Sequence, residues 1–497
     1  MAGIRRALLF NACERYVGLA INFVTVSVVS RLLTPGEIGL SVIGLGIMTL
    51  ALALREFASP DFLIQRPEVS RPDVRTAFTV LLVLYGPVAV GLAVLAPWLA
   101  ELYGEPGLSG YIRVVIAAGL LETLSSPVVA LLRRDMAFGV IAALNTAVAV
   151  AGAATTITLA ALGFGFMSFA WAWLAAAAAT AVLALWFRPH WWMFIPSLAS
   201  WRSALGFGGC NGAVAALGRL YESLPQLVLG RILSVDVVAF YNRAGMVVTL
   251  PDRIVLSGVF SVAFPAFAAG VRQGSNVERA YLLALSHITL FHWPALLLLG
   301  VLAHPVVMIL MGPQWTGIVP LVQIMSIACV FWFPVILTQP VLVALGAQQD
   351  ALVAKLVSVL VCATVLCAAS LQGVEAMALS QFITIPFQMA VALVAVRRHV
   401  GFAWSEVAGA LWRSAAVTAL CLSGPLAIVA MHGFDLRLSI PAAMLAVVLA
   451  ALGWTAGLRL TRHPFFAELL LLLDRGGRFE AGRRLLDRIP ARRAPAR

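Results

Sequence analysis

The sequence predicts an all-α protein that crosses a membrane many times, built as two six-helix repeats around a central cavity with two more helices at the C-terminal end. Three observations carry this: a shortage of charge, the recurrence of long apolar runs, and a pattern that repeats after 200 residues. Of the 497 residues, 62% are hydrophobic and 11% charged, with a mean hydropathy of +0.97. A soluble protein covers its surface with roughly 25% charged residues, so most of the outside of this chain must face lipid. Apolar runs of about 20 residues, the length an α-helix needs to cross hydrocarbon, recur from end to end. The alternating pattern of a membrane β-barrel is absent.

Fourteen spans are expected, at about 8–33, 38–57, 77–100, 110–132, 137–161, 165–187, 205–230, 237–268, 280–303, 319–345, 351–370, 373–396, 410–431 and 438–460. The first lacks a small-residue cleavage site and is too long for a signal-peptide core, so it reads as a signal anchor. Loop charge then orients the chain. With the N-terminus in the cytoplasm, the inner loops receive Arg5, Arg6, Arg66, Arg71, Arg75, Arg133, Arg134, Arg188, Arg202, Arg272, Arg279, Lys355, Arg397 and Arg398. The outer loops receive little beyond Arg31, Arg113, Arg231 and Arg437. Positive charge in short loops marks the cytoplasmic side, and an even span count returns the C-terminus there. A bacterial inner membrane is the expected location. The tail, 461–497, carries nine arginines and four acids in short amphipathic stretches, which suits docking on anionic headgroups or a solvated tail.

The repeat is visible without gaps. At an offset of 200, Asn11 meets Asn211, Gly18 meets Gly218, Val28 meets Val228, Arg31 meets Arg231 and Leu33 meets Leu233. The stretch "VSRLLTPGEIGL" (29–40) thus faces "LGRILSVDVVAF" (229–240). At an offset of 208, Pro97 meets Pro305 and Gly104 meets Gly312. Two halves follow: 1–200 with spans 1–6 and 201–400 with spans 7–12. Spans 13–14 occupy 401–460. Six spans are an even number, so the halves share one orientation. Transporters use such paired repeats with the substrate site between them. Arg31 and Arg231 sit at the outer ends, where each suits the carbonyls of a helix C-terminus, with Pro35 and Gly36 making the turn.

Charges within spans are costly and mark cavities. Glu14, Arg15 and Asn22 lie in span 1, Arg55 and Glu56 at the end of span 2, and Glu122 in span 4. Arg219 and Glu222 lie in span 7, and Arg243, Asp252 and Arg253 in span 8. A guanidinium fork binds phosphate oxygens in bidentate fashion, so Arg15, Arg55, Arg219, Arg243 and Arg253 are candidates for a cationic substrate cavity. Glu14, Glu122, Glu222 and Asp252 are candidates for ion coupling or for pairing those arginines. Arg219 and Glu222, spaced i, i+3, also fit a mutual pair. His287 and His292 in span 9 suit a proton relay or ordinary core packing.

Other chemistry is not supported. The only lysine, Lys355, lies in "LVAKLV", without the glycine-rich approach of a P-loop, so no ATP hydrolysis through one is expected. Six cysteines lie in apolar segments without CxxC spacing and read as small hydrophobes. No metal, cofactor, catalytic residue or nucleic-acid partner is expected.

These residues resemble the Wzx-like polysaccharide flippases of the multidrug/oligosaccharidyl-lipid/polysaccharide exporter superfamily. "SRLLTPGEIGL" is similar to that family's loop after span 1, and "LAPWLAELYGEPGL" to its span 3 exit. "ALLRRDMAFGVIA" (130–142) resembles the segment between spans 4 and 5. "LVLGRILSVDVVAFYNRAGMVVTLP" resembles the stretch into span 8, and "VAFPAFA" (262–268) its end. The chain departs at Ile38-Gly39 and Ala239-Phe240, where the family carries an aromatic with glycine, and at "GRLYESLP" in span 7. The resemblance implies transfer of an undecaprenyl-pyrophosphate-linked oligosaccharide from the inner to the outer leaflet. It implies two lobes rocking about a V-shaped cavity, driven by ion gradients or membrane potential. A polysaccharide polymerase and export machinery are the implied partners, beside membrane lipids. The alternatives are a cation-coupled multidrug-type antiporter, which favours acidic and aromatic cavity walls, and a membrane enzyme acting on lipid-linked sugars, which favours a large outer loop.

Overall fold

In the computed structural model, residues 2–58, 63, 68–256 and 277–466 are described. The "VAFPAFA" stretch and the tail beyond 466 lie outside them. Among the described residues the chain is helical and carries no strand. Eleven helices among these residues are long and apolar enough to cross a membrane. The remaining predicted spans fall on α1 (Ala2–Leu32), α7 (Trp201–Ile232) and α8 (Val235–Val248), the last continuing into 252–256 and then out of the described region.

The repeat is a repeat of backbone. Helix α1 ends at Leu32 and α7 at Ile232; α2 (Pro35–Ala53) begins 200 residues before α8. The joints use the same bonds. Leu33 N–H donates to Val29 O and Leu233 N–H to Leu229 O, both at 2.9 Å. Thr34 and Ser234 then accept, at their carbonyls, from Ile38 and Val238. In the first copy Glu37 takes hydrogen bonds from the amide and hydroxyl of Thr34, each at 2.9 Å, completing a capping box. The turn lies two residues earlier than predicted: Leu33–Thr34 make it, and Pro35 is the first helical residue. Proline suits that position because its missing N–H would be unpaired there anyway. Gly36 is helical too.

Helices α3 (Arg71–Leu102), α4 (Gly107–Arg134), α5 (Phe138–Ala161) and α6 (Met167–Phe187) pack with α1 as a first bundle. The second holds α7, α8, α9 (Val277–Val301), α10 (Ala303–Leu310), α11 (Val319–Ala328), α12 (Phe333–Ala344), α13 (Gln348–Ser370), α14 (Val374–Leu379) and α15 (Gln381–Val400). The second echo is also conformational. Gly104 and Gly312 each follow a helix with φ of +70° and +93°, a left-handed conformation in which a side chain is strained. Helices α16 (Trp404–Met431) and α17 (Ile440–Leu460) cross closely, Gly453 lying against the Leu420 carbonyl, and α16 packs on α9.

Helix α2 binds the bundles together. It packs chiefly on α7 and α8, so the two motif copies meet face to face. One apolar cluster joins both bundles there, with Val29, Ile38, Ile43 and Tyr111 from the first and Leu229, Val238 and Trp315 from the second. Polar bonds close the same end. Arg31 donates to the Ile309 carbonyl at 2.8 Å, in the last turn of α10, which meets the expectation that it serves a helix C-terminus. Trp315 Nε1 donates to Ser30 O at 2.8 Å, and the Gln314 amide donates to Ser30 O as well.

Candidate functional site

The structure distributes the nine candidate residues among several places. In the first bundle Arg55 and Glu122 form a pair at 3.1 Å. Trp173 Nε1 donates to the other oxygen of Glu122 at 2.6 Å, and Arg55 stands 6.0 Å from the centre of the Tyr85 ring. The carboxylate is therefore fixed from two sides. Glu14 accepts from the Asn145 amide at 2.8 Å, tying α1 to α5. Arg15 lies exposed on α1.

In the second bundle a cavity of about 510 Å³ opens between α7, α12, α13 and α15, with Glu56 of the first half at its edge. Its charged lining is Glu56, Arg219, Glu222 and Lys355. Arg219 donates through Nη2 to Glu56 Oε1 at 3.1 Å, so the pair spans the two halves. The expected alternative, a pair between Arg219 and Glu222, is not what forms, because the 54–58 turn packs on α7 and brings Glu56 nearer. Glu222 and Lys355 line the same cavity. The Lys355 stem passes Gly218, where an added Cβ would stand 3.6 Å from Cε. Gln339, Gln388, Thr338 and Ser358 complete the polar lining.

Three candidates fall elsewhere. Arg243 does not line this cavity. It is 4% exposed, stacked 5.8 Å from the centre of Trp315 and donating to Met246 Sδ, because α8 turns that face into the latched end of the molecule. A guanidinium held over an indole is a packing device. Asp252 lies 2.7 Å from His292 Nδ1. Arg253, beside it, is exposed.

Sequence reasoning placed Lys355 with the cytoplasmic loops. The structure places it within α13, on the cavity wall. The signal was present: a lone cation in an apolar run, the same sign that singled out Arg219. Glu56 was noted as a charge without a role, and Trp173 and Asn145 carry no sequence signal. Cys329, Cys362, Cys367 and Cys421 are free thiols. No cluster of metal-ligating side chains occurs among the described residues.

Residues 28–320 match the family described as polysaccharide biosynthesis protein. The chain belongs to that family. Among curated relatives is the lipopolysaccharide biosynthesis protein WzxC of Escherichia coli, 24% identical over 64% of this chain and 65% of its own length. The succinoglycan biosynthesis transport protein ExoT of Rhizobium meliloti is 25% identical over 62% of each. The matches thus span somewhat under two thirds of these relatives. Among solved structures the lipid II flippase MurJ, in an inward closed conformation, superposes with a TM-score of 0.70 at 11% identity, covering 93% of this chain and 99% of its own. A multidrug resistance MATE family transporter of the MOP superfamily, inward-facing, reaches 0.58 at 15% identity, over 80% and 98%. The fold is that of MurJ and MATE transporters, and the chain is a multi-pass membrane protein.

Proposed function

We propose that this protein is a flippase. It carries an undecaprenyl-pyrophosphate-linked oligosaccharide from the inner to the outer leaflet for exopolysaccharide or lipopolysaccharide biosynthesis, by alternating access and without hydrolysing ATP. The cavity bearing Arg219 and Lys355 is the observation that carries this reading. Two cations in an intramembrane cavity suit a pyrophosphate, and the amides and hydroxyls around them suit sugar oxygens. The halves 1–200 and 201–400 act as the two lobes, with 401–460 and the 461–497 tail appended. With the N-terminus in the cytoplasm of a bacterial cell, the Arg31–Ile309 latch lies on the outer side, so this is a state shut to the outside.

Arg219 is held by Glu56 at 3.1 Å. An incoming phosphate competes for the guanidinium and frees Glu56, which couples head-group binding to the contact between halves. Arg55 and Glu122 serve the first lobe in the same way, and Glu14 and Arg15 stand on the α1 wall. The names of the curated relatives concern polysaccharides, which favours this reading over a multidrug-type antiporter. Lipid-linked sugar is the partner in the membrane, and a polysaccharide polymerase consumes the product.

The test uses the purified chain in proteoliposomes with a fluorescent polyprenyl-pyrophosphate oligosaccharide and a membrane-impermeant quencher. The wild type moves the glycolipid between leaflets. Lys355→Met and Arg219→Gln each slow it by about tenfold or more, the worth of one lost charge-assisted bond. Unchanged rates in both variants remove the cationic cavity from the mechanism.

A further inference from the structure

His292 lies within α9 with both ring nitrogens engaged. Nδ1 stands 2.7 Å from Asp252 Oδ1, and Nε2 stands 3.0 Å from the Cys329 carbonyl oxygen. A carbonyl only accepts, so the Nε2 contact needs a hydrogen on nitrogen. An ionised carboxylate also only accepts, so the Nδ1 contact needs another hydrogen. A neutral imidazole beside a carboxylate supplies one hydrogen, and this geometry uses two. With a hydrogen in both contacts, the pair would hold one proton more than its neutral-imidazole, ionised-carboxylate form. Imidazolium with carboxylate and imidazole with carboxylic acid are two descriptions of that same count.

The surroundings suit an exchangeable proton. The His292 side chain is wholly buried while that of Asp252 is 31% exposed, so the proton enters and leaves through the carboxyl. Asp252 follows Pro251, where α8 gives way to the 252–256 turn, and Cys329 begins the turn between α11 and α12. One proton thus fastens three segments. Removing it leaves one of the two short contacts without its hydrogen, in surroundings where an unpaired polar group is costly.

Other titratable groups near α9 are accounted for. Cys329 meets the pair through its backbone carbonyl, and Arg253 adjoins Asp252 in the chain. From α16, Glu406 accepts from the Ala403 amide and Arg413 donates to the Arg462 carbonyl, while Cys421 is a buried thiol. Helix α10 brings His304 and α17 brings Arg459; α11 and α12 bring no titratable side chain.

We infer that Asp252 and His292 form a proton-binding site, and that its proton is the coupling ion of the transport cycle. The second clause rests on the flippase reading. Asp252 opens the segment that follows α8, and the start of α8, at Val235, abuts α2 of the other half. Loss of the proton frees the 252–256 turn from α9 and shifts the balance between arrangements of the two halves.

Two measurements on the full-length chain test this. In lipid nanodiscs, an alkaline titration releases about one proton per chain that Asp252→Asn and His292→Gln do not release. Nitrogen-15 signals assigned by the His292→Gln difference show two protonated ring nitrogens, or infrared shows the Asp252 carboxylic acid, before release. Equal proton release by all three proteins overturns the site. So does a lone Nδ1–H tautomer beside ionised Asp252 across the whole titration. In proteoliposomes, an imposed proton gradient accelerates glycolipid movement in the wild type by about tenfold and leaves Asp252→Asn unaffected. Undiminished acceleration in that variant overturns the coupling role. No movement by the wild type under any gradient overturns the flippase reading and the coupling with it, while the proton count still decides the site.

Discussion

A Cβ added to Gly39 would stand 1.9 Å from the carbonyl oxygen of Val235. These residues belong to the two copies of the repeated motif, so the copies mark the surface on which the halves meet. A Cβ added to Gly36 would likewise stand 3.1 Å from Asp236 Oδ1.

The first prediction concerns that contact. Gly39→Ala must push α2 away from α8, because the obstacle is backbone and cannot rotate aside. An overpacked core costs about 1–3 kcal/mol, and Gly39→Val costs more than Gly39→Ala. Gly86→Ala meets nothing within 4 Å and removes a helical glycine, so it is neutral or stabilising by about 0.5–1 kcal/mol. Thermal melts in one detergent, with the three variants side by side, check the order.

The second prediction concerns the latch. Trp315→Phe keeps a ring beneath Arg243 and removes the indole hydrogen bond to Ser30 O. Arg31→Ala removes the bond to Ile309. Each costs about 1 kcal/mol, and together they raise the population open at this end by about tenfold or more. Labelling of a cysteine placed at Ser30, whose side chain is wholly buried at this end, by a membrane-impermeant maleimide reads that opening. Equal labelling in wild type and double variant rules the latch out.

The fold was legible because rare residues repeat: Arg31 with Arg231, Gly104 with Gly312, each in the same backbone setting. The site was only half legible. Charge in an apolar run shows that a partner exists, and says nothing of where it is. Arg55 finds Glu122, Glu56 finds Arg219 and Asp252 finds His292 across 67, 163 and 40 residues. Those distances are set by packing, through the 54–58 turn lying on α7, and hydropathy does not encode them. Arg243 misled for the complementary reason, since an arginine buried on tryptophan has the same sequence signature as one lining a cavity.

The third prediction separates charge from shape in the first lobe. Glu122→Gln keeps an acceptor for one neighbour but loses the ion pair with Arg55, whose side chain is 18% exposed. Glu122→Ala also strands the Trp173 indole. Leaving a buried donor unpaired costs about 1–3 kcal/mol, so Ala destabilises more than Gln. Arg55→Met with Glu122→Met removes both charges and recovers part of the loss. Denaturation midpoints of the three variants give the ranking; a double variant no better than Glu122→Ala contradicts it.

The fourth prediction concerns acid. His463, just past α17, is buried with its Nε2 3.0 Å from Ser286 Oγ and 3.3 Å from Ser414 Oγ. Burial, then the nearby His287 and Arg413, push it down to about 4 from the usual 6.5. A depressed histidine is neutral when docked and charged when released, so the released form binds more protons between those values. The stabilisation is therefore complete above about pH 6.5 and is lost as pH falls toward 4. Amide exchange over residues 458–466 is expected to quicken through that interval, as the segment leaves the groove between α9 and α16. His463→Gln loses the histidine's proton dependence while retaining a hydrogen-bonding side chain, so its exchange changes less between the two ends. An exchange rate in the wild type that is flat across the interval, or that slows on acidification, contradicts docking by the neutral ring.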